Sequence, residues 1–199
     1  MAKQDAQLPE KLIASVIEDI RAGRVPKMAS ITKKLGVSAP MVNHHFGDSA
    51  GLIRRAWREI VLSSIRDDYL FLDDLAAKND WEGLSDFIYE IFSPERQASR
   101  LAHLRAVSES IADNQVREVV LEAQELTRQS WFNFITKHTD AGNLAKRVDV
   151  NAMAILFAAM PLGITAARLD LSQLERRQVS NAWFIIILAM LKPDYRLDS

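Results

Sequence analysis

The 199-residue chain contains no cysteine. That removes disulfides, thiol nucleophiles and every thiolate-held zinc or iron–sulfur centre. Glycine and proline are scarce, 7 and 6 residues, about half of the usual combined share near 12%. A chain so poor in turn formers reads as helices joined by short connections. Long hydrophobic runs are missing too. The most apolar stretches, 152–167 and 182–191, fall short of the roughly 18 to 20 residues that span a bilayer, and Pro161 and Gly163 interrupt the first. Both read as buried helices of a soluble protein without a membrane partner. The polar start, MAKQDAQLPEK, has no secretory signal, so the expected location is the cytoplasm.

A charge excess is lacking as well: 25 Lys and Arg oppose 26 Asp and Glu. The balance conceals an asymmetry. Residues 1–60 hold 10 basic and 6 acidic side chains, net +4, and the remainder is net −5. A basic head on an acidic body points to nucleic acid at one end. Hydrophobic residues at 48% and charged residues at 26% are the proportions of an ordinary globular protein.

Apolar residues recur at helical spacing throughout, and nowhere does a period of two appear. Leu12, Ile13, Val16, Ile17 and Ile20 predict a first helix over 10–22. Met28, Ile31 and Leu35, followed by Gly36, predict a short second helix ended by a left-handed glycine. Ser38 is placed to cap a short third helix carrying Val42 inward. Asp48 or Ser49 caps a fourth helix with a stripe from Leu52 to Ile65. Beyond the acidic stretch 67–80, a fifth helix carries Trp81, Leu84, Phe87, Ile88 and Ile91. Ser93 and Pro94 open a sixth, ending near Ile111. A seventh runs from about Val116 to Thr139–Gly142. Asp149 caps an eighth, kinked or broken at Pro161, and a Ser172/Glu175 capping box opens a ninth that Lys192 and Pro193 end. The fold class is all-α, with nine helices.

The segment 28–52, MASITKKLGVSAPMVNHHFGDSAGL, has the plan of a helix-turn-helix. Gly36 turns the chain. Ile31, Leu35, Val37 and Val42 lock the two helices, and the outward face of the second, Ala39, Pro40, Met41, Asn43 and His44, has the size and polarity to enter a major groove. Adjacent His44 and His45 point about 100° apart on a helix and do not form a metal pair.

These residues resemble the signature of the TetR (tetracycline-repressor) family of transcriptional regulators, I-A-x-x-A-G-V-S-x-x-x-hydrophobic-Tyr-x-His-Phe-x-x-Lys-x-x-Leu. Ile31, Gly36, Val37, Ser38, Val42, His45, Phe46 and Leu52 occupy matching places. The likeness covers about the first 55 residues. Three positions depart from it: Asn43 stands for the tyrosine, Ser49 for a phosphate-contacting lysine, and Met28 for a polar helix opener. An amide still offers a bidentate edge to adenine, while Lys3, Lys27, Lys33, Lys34, Arg54 and Arg55 are replacements for the missing charge. The DNA-contacting set assigned on this basis is Lys27, Ser38, Ala39, Pro40, Met41, Asn43, His44, His45 and Ser49.

The resemblance further implies a helix-turn-helix domain over 1–55 and a ligand-binding, dimerising helical bundle over 56–199. It implies a homodimer paired through the last two helices, as a palindromic double-stranded operator requires, and a repressor released by a small hydrophobic effector. Trp81, Phe87, Tyr89, Phe92, His103, Trp131, Phe134, Met153 and Phe157 are the candidate cavity residues, with Tyr89, His103 and Arg105 as polar anchors. No histidine has Glu three residues before it, and nucleotide loops, HExxH and GxSxG are absent, so neither catalysis, metal nor cofactor is expected. Glu109, Glu118, Glu122 and Glu125 read as a solvated helix face. The rival reading is a dimeric small-molecule-binding or interaction protein with a weakened DNA-binding head.

Overall fold

The computed structural model describes residues 7–140 and 149–191. Lys3, the end of the seventh helix beyond Asp140, and Lys192 and Pro193 lie outside them. Among the described residues there are nine helices and no strand: α1 (Leu8–Arg21), α2 (Met28–Leu35), α3 (Ala39–Phe46), α4 (Ser49–Lys78), α5 (Trp81–Ile91), α6 (Gln97–Glu109), α7 (Asn114–Asp140), α8 (Val150–Ala167) and α9 (Gln173–Leu191).

The local signals act where the side chains can reach. Gly36 closes α2 at φ 67°, with Val37 N–H donating to the Thr32 carbonyl at 3.0 Å. Asp48 accepts from Gly51 N–H at 2.6 Å, and Asp149 accepts from the N–H groups of Asn151 and Ala152. The Ser172/Glu175 box forms in both directions: Ser172 N–H donates to Glu175 at 2.9 Å, and Glu175 N–H to the Ser172 hydroxyl at 3.3 Å.

Four expectations need correction. α1 begins at Leu8, two residues early, because Pro9 fits the first helical turn and Leu8 is already buried. α4 continues through the acidic stretch to Lys78 because Leu72 and Leu75 give that stretch a buried face; its 30 residues span about 45 Å. α6 starts at Gln97, not at Ser93: i→i+3 bonds fold 93–96 into turns, and buried Ser93 bonds Glu90 instead of capping. α8 passes Pro161 without a break.

Two apolar cores result. The first joins α1, α2, α3 and the first half of α4 to Ala102 and Ala106 of α6 and Val116, Val119, Val120 and Ala123 of α7. The second lies between the end of α4 and helices α5, α7, α8 and α9, around Trp131, Phe134, Phe157 and Trp183. The position 55/56 falls inside α4, and the first core extends across it.

The apolar helices near the end of the chain are less buried than their composition implies. α8 is 18 residues long with mean hydropathy 1.8, apolar and long enough by composition to cross a membrane. Only Met153, Ala154, Phe157 and Thr165 on it are buried, while Ile155 and Leu156 stand 50% and 61% exposed. On α9, Leu174, Ile185 and Ile186 are likewise exposed.

Candidate nucleic-acid interface and internal cavity

The head presents α3 on its surface. Ala39, Pro40, Asn43, His44 and His45 are exposed, Val42 is buried, and the rings of His44 and His45 meet edge to face at 5.1 Å. Two assignments shift. Met41 is half-buried against the first core rather than outward, because Val42 and Met41 together fill the angle between α3 and its neighbours. Ser38 occupies the cap position of α3 but its hydroxyl makes no capping bond. Lys27 precedes α2 and Ser49 opens α4, both exposed.

Of the replacement cations, Lys34 is tied to Glu18 at 2.9 Å, whereas Lys27, Lys33, Arg54 and Arg55 form no ion pair among the described residues. Arg54 and Arg55 lie with His45, Phe46 and Gly51 along a groove between α1, α3, α4 and α7 that also carries Glu10, Glu118 and Glu122. Gly51 makes that junction possible. A Cβ there would stand 2.0 Å from the Phe46 carbonyl oxygen, so the start of α4 crosses the end of α3 at backbone contact. Spacing alone carries no sign of this requirement.

The head is fastened to the body by two arginines. Arg58 of α4 pairs with both carboxylate oxygens of Glu122 on α7. Arg105 of α6 donates to the Ile20 carbonyl at 3.0 Å and lies 5.9 Å from the Trp57 ring centre. Arg105 therefore grips the end of α1 and is no cavity anchor, and Glu122 belongs to an interhelical pair rather than a solvated face.

In the body, α4, α5, α6, α7 and α8 border a partly open cavity of about 110 Å³. Of the candidate cavity residues, Phe87, Trp131 and His103 line it. Phe92, Phe134, Met153 and Phe157 are core residues outside its lining, the three phenylalanines packing their rings on Trp131 or Trp183. Trp81 packs edge-on against His138 at 4.6 Å, and Tyr89 sits in an outer groove beside Asp67, Asp86 and Glu90.

Sequence reasoning missed the polar lining. Asp68 and Tyr69 come from the acidic stretch of α4, Arg96 and Arg100 from the turn and start of α6, and Thr127 and Ser130 from α7. Arg96 donates to Asp68 at 2.8 Å; burial pushes the Asp68 carboxyl above its ordinary pKa while Arg96 opposes that shift. Burial lowers the His103 pKa to about 4, so its imidazole is neutral near pH 7. Helical periodicity in 67–80 was the available signal, since Leu72 and Leu75 share a face with Asp68.

The topology, a three-helix head on one long helix that enters a bundle, defines a class of all-helical two-core proteins with a surface helix-turn-helix. No family model matches the sequence and no curated protein does. Among solved structures, one described as a TetR-family transcriptional regulator from Rhodococcus sp. superposes with a TM-score of 0.68 at 15% identity, covering 91% of this chain and 98% of that one. This chain has the TetR fold.

Proposed function

We propose that the protein is a TetR-type transcriptional regulator, a homodimeric repressor that binds a palindromic operator and releases it when a small molecule fills the body cavity. The observation that carries this reading is the exposed α3 face, Ala39, Pro40, Asn43, His44 and His45, on a helix-turn-helix closed by Gly36. Asn43 and His44 are the base-reading side chains, and Lys27, Lys33, Arg54 and Arg55 supply the phosphate footing in place of a lysine at position 49. The uncovered apolar faces of α8 and α9 support pairing with a second copy, which sets two α3 helices about 34 to 36 Å apart.

Helix α6 links the two functions. Arg100 and His103 face the cavity, and Arg105, less than two turns further along, holds the end of α1. A ligand that displaces α6 thereby moves the head and changes the spacing of the recognition helices.

Selection of bound duplexes from a random pool tests the reading. A palindrome is expected, bound with strong salt dependence, and Asn43→Ala with His44→Ala abolishes sequence preference while leaving the thermal unfolding midpoint unchanged. Failure to enrich any palindrome, with the dimer intact, sinks the regulator reading in favour of a small-molecule-binding or interaction protein.

A further inference from the structure

The cavity is small, apolar on most of its wall, and unbalanced in charge. Arg96 and Arg100 line it against a single carboxylate, Asp68, and Arg96 already holds that carboxylate. Arg100 has no carboxylate partner among the described residues. One of its terminal nitrogens donates to the carbonyls of Ile91 and Ser93, and its guanidinium lies 5.9 Å from the Phe92 ring centre. Burial, followed by repulsion from Arg176 and Arg96, pulls its pKa down, the mark of a cation short of a counter-charge.

Three residues of this lining each carry a buried polar atom with no partner among the described residues: Arg100 Nε, His103 Nε2 and Ser130 Oγ. Buried donors without partners are costly, about 1–3 kcal/mol each and more when charged. The three side chains come from α6 and α7 to the lining of one cavity, whereas the other partnerless buried atoms, on Arg54, Thr136, Arg176, Ser180 and Trp183, belong to residues outside it. Opposite the three stand Ile65, Leu72, Phe87, Trp131 and Leu162.

We propose that the cavity binds a short monocarboxylate, with its carboxylate on Arg100, Ser130 and His103 and its hydrocarbon end against Phe87 and Trp131. This deepens the effector site of the reading above and rests on it. One negative charge balances the lining, and a planar carboxylate is the anion a guanidinium edge accepts. Volume sets the size: a cavity of roughly 150 Å³ holds the six heavy atoms of benzene, so about 110 Å³ encloses about four or five, and a six-atom chain fills it with its end at the open side. His103, Thr127, Ala158 and Leu162 separate this cavity from an open apolar groove on α6, α7 and α8.

Titration calorimetry of the full chain with n-butyrate, butyramide and n-butylamine tests the assignment, the three being alike in shape and different in charge. Butyrate is expected to bind saturably and at least about tenfold tighter than butyramide, with no binding of butylamine. Arg100→Gln removes that preference but leaves weak butyramide binding in place. Ser130→Ala, which touches no interhelical bond, weakens butyrate binding severalfold and decides the matter if Arg100→Gln does not fold. Equal affinity for butyramide, binding of butylamine, absence of saturable butyrate binding, or an undiminished preference in either folded variant overturns the proposal. No DNA enters these titrations, so failure to find an operator leaves their result intact, and failure here leaves the operator selection standing.

Discussion

Head and body solve different problems with similar helices. The head buries a narrow stripe, Leu12, Val16, Ile20, Ile31, Val42 and Leu52, and leaves α3 covered by small and polar groups. Its order comes from turns and caps: Gly36, Asp48 and the contact at Gly51 set where each short helix points. The body packs large rings and leaves a cavity with unmatched polar atoms in its interior and apolar side chains on its exterior. Short helices are marginal alone and depend on packing such as that of Ile31 and Val42, so turns and caps set where each one points; the long helices of the body share many contacts around the void. A fixed surface suits recognition of a rigid duplex, and an incompletely satisfied interior suits a ligand.

The largest test of this contrast is Gly51→Ala. An added methyl 2.0 Å from the Phe46 carbonyl forces α3 away from α4, and the loss is about 1–3 kcal/mol in urea unfolding even after the helix-propensity gain of alanine. The local character of head order further requires that DNA binding suffer while butyrate binding in the body does not. Unchanged stability would mean that the α3–α4 junction is not held at backbone contact.

Next in size is the pH response of the body. His103 titrates near pH 4 in the folded chain and near 6.5 when unfolded, so the unfolded state takes up the proton first. Its contribution is present above pH 6.5 and is lost as pH falls toward 4. His103→Gln should therefore flatten the decline of the melting midpoint between those values relative to the parent chain. Parallel curves would show that the imidazole is not sealed.

The smallest effects compare two caps. Asp48→Ala removes a bond to Gly51 N–H and costs about 1 kcal/mol, whereas Ser38→Ala, lacking such a bond, changes stability by less than about 0.5 kcal/mol in the same unfolding assay. Equal losses would restore the cap that the position of Ser38 suggests.

Much of the head is legible in sequence because its determinants are neighbours. Gly36 and Asp48 act over a few residues, as the Ser172/Glu175 box does in the body, and the structure places them as their spacing implies. Ser38 shows the limit, since residue type and position do not ensure the bond. In the body, ring size marked Phe87 and Trp131 but not which rings face the cavity, because Phe92 and Phe134 have the same composition and different neighbours. Arg105 read as a ligand anchor and instead crosses 85 positions to the Ile20 carbonyl.

Residue order along each helix determined the all-helical class, the turn at Gly36 and the exposed character of α3, for these follow from backbone preference and a periodic apolar face. The continuation of α4 through its acidic half was decided only when Leu72 and Leu75 found partners on other helices. Tertiary structure alone placed Asp68, Arg96, Arg100, His103 and Ser130 around one space. The reason is physical: helix formation depends on groups within about four residues, whereas burial, orphaned donors and charge balance depend on which distant surfaces meet.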